Sequence, residues 1–288
     1  MIKNESEAGH SVKELCQLCE VSESGYYAWL KRGKSKTERA REQLGEQIEQ
    51  IHKMSRGTYG IPRITAELRN RGMRVNRKRV ARVMRERGLK GLQIAAYRPR
   101  TTDSRHNMRV SPNLLAERKA VGVGEVLVGD ITYIATEEGW EYLAAFMDAR
   151  SRLIKGWSMR SKADAELVQR AFQSAASRYG IGPGTLVHTD RGSQYASEAF
   201  RSLLARHNAI SSMCGKGYCY DNAAMESFWA TLKRELRLKK RPFKTREEAR
   251  ATIFEYIEAF YNRVRLHTSL AGLSPWQYEQ RARNANAA

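Results

Sequence analysis

Apolar positions along this chain change rhythm near residue 124. Before it they recur every three or four residues, the spacing of one helix face. Val12, Leu15, Cys16 and Cys19 keep that spacing, Val21–Gly25 reads as a turn with Ser22 as N-cap, and Tyr26, Tyr27, Trp29 and Leu30 supply apolar mass to a second short helix. Residues 11–31 therefore read as a helix-turn-helix piece or as a helical hairpin packed on the rest. Leu44, Ile48 and Ile51 form one stripe of a charged helix over 37–55, which Gly57-Thr-Tyr-Gly60 breaks. Ile61, Ile64 and Leu68 mark the next helix, Gly72–Asn76 a turn, and Val80, Val83 and Met84 a further helix. Residues 91–123 are irregular and polar, with a short docking helix expected near Asn113–Lys119.

From Gly124 the pattern becomes that of strands: Val126–Ala135, Trp140–Met147 and Leu153–Met159, parted by Glu137-Glu-Gly139 and Ala149-Arg-Ser151. A helix is predicted at about 163–179, a strand at 185–189, a helix at 197–208, a short strand at 209–213 and a helix around Glu226. Pro242 cannot continue that helix, and a last one is predicted over 246–262. The order βββαβαβα predicts a mixed sheet, with three antiparallel strands followed by parallel additions through helical crossovers. The division expected is a helical N-terminal segment (1–56), a basic helix-turn-helix unit (57–92), a linker (93–123), a catalytic core (124–240) and a C-terminal helical extension (241–288).

Charge sharpens this picture. The 288 residues carry a net charge of +20, and the excess is uneven. Residues 51–100 hold 15 Lys and Arg against two acids, whereas residues 101–150 hold five against eight. Arg77, Lys78, Arg79, Arg82 and Arg85 crowd the outer faces of the helix marked by Val80, Val83 and Met84, which points to double-stranded DNA contacted mainly through phosphates. No apolar run reaches 18 residues, so no spanning helix and no membrane partner are expected. With no signal-peptide pattern at the start, the four cysteines read as thiols in a reducing cytoplasm. Cys16-x-x-Cys19 invites a zinc reading, but its nearest second pair, Cys214 and Cys219, lies in another domain, so helix-packing cysteines are the simpler account.

The chemistry centres on Asp221-Asn-Ala-Ala-Met-Glu226-Ser-Phe-Trp-Ala-Thr-Leu-Lys233. Asn222, Glu226 and Lys233 share one helix face, while Phe228, Trp229, Leu232 and Leu236 hold the helix to a core. Asp130 lies within the first β run, and Asp190 closes the strand Leu186-Val-His-Thr. The intervening gaps are 59 and 35 residues. Carboxylates held at strand ends and on a facing helix suit Mg²⁺, a hard cation that keeps several waters and accepts substrate phosphate oxygens. Two such ions can clamp an in-line phosphoryl displacement. Asp148 is a decoy, read as a turn former partnered by Arg150 or Arg152. Asp221 is a helix cap, and His188, two residues before Asp190, a hydrogen-bonding support of the site. Lys216 lies in a loop placed to reach a phosphate. His267 either faces DNA or packs in a C-terminal lid.

Aspartate, aspartate, 35 residues and glutamate resembles the signature of the retroviral-integrase-like DDE recombinases. The runs Asp130-Ile-Thr-Tyr133, Asp148-Ala-Arg-Ser-Arg152, His188-Thr-Asp-Arg-Gly-Ser-Gln-Tyr195, Asp221–Phe228, Tyr261-Asn-Arg-Val-Arg-Leu-His267 and Leu273-Ser-Pro-Trp-Gln-Tyr278 are similar to the transposases of bacterial insertion sequences of the IS-three family. The resemblance implies an α/β fold: a ribonuclease-H-like integrase catalytic core with a mixed five-stranded sheet, preceded by an all-α helix-turn-helix region. It implies cleavage at transposon ends and joining of a 3′-hydroxyl, with Asp130, Asp190 and Glu226 holding two Mg²⁺ ions, for which Mn²⁺ can substitute. It further implies a homo-oligomer on DNA, an upstream-frame fusion partner and a place in the bacterial cytoplasm at the nucleoid. The rival reading is a DNA-binding regulator or inhibitor of transposition without catalysis of its own.

Overall fold

The computed structural model describes residues 2–33, 35–92, 110–116, 121–215, 222–238 and 242–287. Most of the expected linker lies outside them, as do Lys216 and Asp221. The N-terminal third is helical: α1 (Ile2–Glu7), α2 (Val12–Leu18), α3 (Glu23–Lys31), α4 (Lys36–Met54), α5 (Ile61–Asn70) and α6 (Arg77–Glu86). The sequence does not predict α1, but local chemistry starts later helices close to where it expects them. The Ser22 hydroxyl accepts from Gly25 N–H, Ser35 and Glu38 form a capping box, and the Asn76 side chain accepts from Lys78 N–H. Leu44, Ile48 and Ile51 of α4 share one buried core with Ile64, Leu68, Val80, Val83 and Met84, and that core also takes in Leu266 from the far end of the chain.

The central unit is a five-stranded sheet in the order β3-β2-β1-β4-β5, formed by β1 (Val126–Thr136), β2 (Gly139–Asp148), β3 (Ile154–Arg160), β4 (Leu186–Thr189) and β5 (Ile210–Met213). The first three strands pair antiparallel, and β4 and β5 join in parallel beyond β1, as the element order predicts. One face is covered by α7 (Ala165–Tyr179), α8 (Ser193–Ala196) and α9 (Glu198–Arg206), around Phe146, Phe172 and Phe200. Gly156 on β3 allows this close packing, since a Cβ there would lie 2.3 Å from the Ala171 carbonyl of α7. The other face is covered by α10 (Ala223–Glu235) and α11 (Arg246–Phe254), which continues as a π-helical stretch over Glu255–Tyr261. Strand order and helical cover are those of the ribonuclease-H-like integrase core.

Three local expectations change. The docking helix near Asn113–Lys119 is absent from its described part: residues 110–116 run without helix, and Leu114 N–H donates to the Ser212 hydroxyl. A further helix, α12 (Pro275–Ala287), follows the predicted last one and starts on a proline, whose missing N–H costs nothing there. Asp148 is a turn former, accepting from Arg150 and Ser151 N–H, but its cation is Lys155 at 3.4 Å rather than Arg150 or Arg152. Lys155 also reaches the buried Glu279 of α12, so the unforeseen helix neutralises a charge that β3 carries inward. Among the described residues no helix is long and apolar enough to cross a membrane.

Candidate active site

Sheet register brings the first two acids together. β1 and β4 run parallel with Gly129 opposite Thr189, and Asp130 and Asp190 are the next residue on each. They therefore stand side by side at the carboxyl end of β4, where open α/β sheets commonly bind ligands. Side chains alternate along a strand. Asp130 follows Val126 and Val128, and Asp190 follows Leu186 and His188. Val126, Val128 and Leu186 belong to the core on the α10 side, so both acids face α10. That helix lies on the same face through Met225, Phe228, Trp229 and Leu232, with Glu226 exposed one turn from its start.

Electrostatics records the proximity. Burial pushes the Asp130 carboxyl up to about 7, and the negative charges of Asp190 and then Glu226 push the same way. Hydrogen bonds from Ile131 N–H and the Trp229 indole pull against them without prevailing. Trp229 Nε1 donates to Asp130 Oδ2 at 2.9 Å. Asp190 Oδ1 accepts from Gly192 N–H at 2.9 Å, which closes the turn after β4. Among the described residues no three His, Cys, Asp or Glu side chains are drawn together into a ready-made metal cage. Two carboxylates converge at the carboxyl end of β4, and the third stands on α10, which covers the same face.

The surrounding residues fall out unevenly. His188 is fully buried, its ring nitrogens 2.9 Å from the Ser212 hydroxyl and 3.2 Å from Cys214 Sγ, which ties β4 to β5 beneath Asp190. Asn222 is buried at the head of α10, and its Oδ1 has no hydrogen-bond partner among the described residues. The Lys233 ammonium sits 4.3 Å from the centroid of the Tyr133 ring, over β1. Sequence reasoning did not single out Trp229 as a donor or Tyr195 as a buried hydroxyl. The Tyr195 hydroxyl lacks a hydrogen-bond partner among the described residues, and burial, then Asp130 and Asp190, hold its pKa well above the ordinary phenol range. His267 packs against Tyr261, and burial, then Arg265, Arg63 and Arg152, lower its pKa to about 3. The half-buried ring packs within the C-terminal segment, whose surroundings disfavour its charged form.

The basic helix is open. Arg77, Lys78, Arg79, Arg82 and Arg85 of α6 are all exposed, and Asn76, Lys78, Arg79 and Arg82 line a shallow hollow at its head. Glu86, the acid on α6, is taken by Arg41 of α4, which leaves the cationic face unopposed.

A helix-turn-helix unit beside a sheet of this order, with two acids side by side at the carboxyl end of β4, fits a DNA-recombining protein of the integrase-core class. Residues 39–97 match the HTH-like domain family, and residues 120–219 and 226–282 match two Integrase core domain families. Transposase InsF for insertion sequence IS3A of Escherichia coli (strain K12) is 40% identical over 278 residues, which cover 96% of each chain. The chain belongs to the IS3 family of insertion-sequence transposases. Among solved structures, the simian T-cell lymphotropic virus intasome in complex with a PP2A regulatory subunit is 14% identical, covering 80% of this chain and 73% of that one at a TM-score of 0.48. The HTLV-2 integrase catalytic core domain in complex with magnesium is 16% identical, covering 56% and 99% at 0.42.

Proposed function

We propose that this transposase is a polynucleotidyl transferase that cleaves DNA at the ends of its insertion sequence and joins the freed 3′-hydroxyl to a new phosphodiester, using Asp130, Asp190 and Glu226 as metal ligands. The observation that carries this reading is the placement of Asp130 beside Asp190, one residue beyond the last paired position of β1 with β4, in a field that holds the Asp130 carboxyl at about 7. Negative charge gathered there fits a divalent ion, and the donor set, all carboxylate oxygen, fits Mg²⁺ or Mn²⁺. When bound, two such ions supply activation of the attacking oxygen and charge neutralisation at the leaving oxygen. The chain's own part is positional. β1 and β4 hold two carboxylates side by side, α10 offers Glu226 from the same side, His188 braces the end of β4, and Asn222 stands at the head of α10 as a supporting residue.

Lys233 is proposed to meet a substrate phosphate from α10, and Lys216 from the loop before it. The exposed cations of α6 hold double-stranded DNA through its backbone. We divide the chain for function as residues 57–92 for DNA contact, 124–240 for chemistry and 241–288 as the extension that packs on both, with α4 contributing to the first unit's core. Two ends joined in one reaction require more than one copy on DNA. The natural setting is the bacterial cytoplasm at the nucleoid, with an upstream-frame fusion as a further form of the protein. The test is cleavage and strand transfer on a labelled transposon end in Mg²⁺, with Asp190→Asn and Glu226→Gln beside the parent chain and a gel-shift titration of each. Loss of both steps with DNA binding kept is the expected result. Full turnover in folded, DNA-binding variants would refute the assignment.

A further inference from the structure

Trp229 lies three residues after Glu226 on α10 and is almost wholly buried between Phe228, whose ring centroid is 4.7 Å away, and the sheet. A buried indole N–H is a donor only and needs an acceptor. The acceptor here is Asp130 Oδ2, 99 residues earlier in the chain. That bond does two things at once. It engages one oxygen of Asp130 and restrains rotation of the carboxylate. It also pins α10 over β1, and so fixes where Glu226 stands relative to Asp130, because one turn of rigid helix separates the two side chains.

We propose that Trp229 is a positioning residue of the reaction, whose indole N–H orients the Asp130 carboxylate and sets the height of Glu226 above it. The inference rests on Asp130 being a metal ligand. Hydrogen-bonding partners behind metal ligands typically change metal affinity by about 10–100-fold when removed. Trp229→Phe keeps a buried aromatic and removes only the donor, whereas Phe228→Leu removes aromatic packing and leaves the donor in place.

With the full chain on a labelled transposon end, Trp229→Phe is expected to raise the half-saturating Mg²⁺ concentration about tenfold or more, with turnover largely restored at high Mg²⁺. Phe228→Leu should lower the melting temperature and leave the half-saturating concentration unchanged. An unshifted Mg²⁺ dependence in Trp229→Phe, or an equal shift in Phe228→Leu, overturns the positioning role. If Trp229→Phe fails to fold, the wild-type chain labelled with 5-fluorotryptophan decides. Single substitutions at Trp29, Trp140, Trp157 and Trp276 assign four of the five ¹⁹F resonances and leave the fifth to Trp229. That resonance must move on adding Mg²⁺ with the midpoint of the chemistry, and a stationary signal overturns the role. An Asp130→Asn chain that still joined DNA would remove the metal-ligand reading itself, and this inference with it. An inactive Asp130→Asn beside an unshifted Trp229→Phe would remove this inference alone.

Discussion

Asp130→Asn separates charge from shape. The amide oxygen still accepts from the Trp229 indole, so the packing of α10 on β1 is kept while one negative charge leaves the cluster. Its size follows from the carboxyl held at about 7 in the fold, against 3.8 for a free aspartate. At 1.36 kcal/mol per pKa unit, the ceiling is ~4 kcal/mol of native-state penalty for the ionised form. Asp130 as a whole is only half-buried, and solvent screening reduces the effect to roughly 1–2 kcal/mol. For a protein of this size that corresponds to a rise in melting temperature of about 2–8 °C. The size of the effect depends on pH. A carboxyl raised in the fold contributes stability that is fully present below 3.8 and lost as pH climbs through about 7. The variant's advantage should therefore be absent near pH 4, grow from there and level off above pH 7. The assay is thermal melting in a chelator across that range, repeated with Mg²⁺. Mg²⁺ should raise the wild-type melting temperature by binding the native state, and leave the variant unmoved. A variant that melts below wild type at pH 8 in chelator, or one that gains from Mg²⁺ as wild type does, would refute the reasoning.

Arg79→Ala with Arg82→Ala should weaken DNA binding and flatten the plot of log affinity against log salt by about two in slope, close to 0.9 for each phosphate no longer neutralised, as gel shifts at graded salt would show; an unchanged slope would place α6 away from the backbone. Because protons compete with metal for Asp130, the Mg²⁺ needed for half-maximal strand transfer should climb steeply below pH 7, and a flat requirement between pH 6 and 8 would exclude Asp130 from the ligand set. Arg265 and Glu235 form a buried ion pair at 2.9 Å, and Arg265→Met leaves the buried carboxylate with the Tyr256 hydroxyl at 2.8 Å and the Arg63 guanidinium only at 4.0 Å. Chemical denaturation should show a loss of about 3–5 kcal/mol, recovered in part by adding Glu235→Leu.

How far the sequence reached depended on whether a feature is local. Helix starts at Ser22, Ser35 and Asn76 are written in residues that cap their own backbone, and strands β1 to β3 in runs of apolar and β-branched residues, so these were legible. The acids were legible through their spacing and local context. Their nearness was not, because it depends on the register that sets Gly129 against Thr189. Trp229 read as core, since its spacing along α10 demands burial, and periodicity carries no information about where a ring nitrogen finds its acceptor. Asp148 was assigned a cation from its own turn, whereas Lys155 comes from the next strand and is held there by Glu279, which no local pattern signals. The π-helical winding of Glu255–Tyr261 was hidden for a similar reason: apolar spacing there fits an ordinary helix closely enough to pass as one.

The Leu266 side chain completes the core of the helices that bear the basic face, and the Tyr59 hydroxyl accepts from Leu266 N–H at 2.7 Å and donates to the Val264 carbonyl at 3.2 Å. More than two hundred residues separate these partners. During synthesis the helical unit leaves the ribosome first, yet it stays short of a core residue and of both partners for that hydroxyl until nearly the whole chain has emerged. Translation that stops early thus yields a helical unit whose core lacks Leu266 and whose Tyr59 hydroxyl lacks both of these partners.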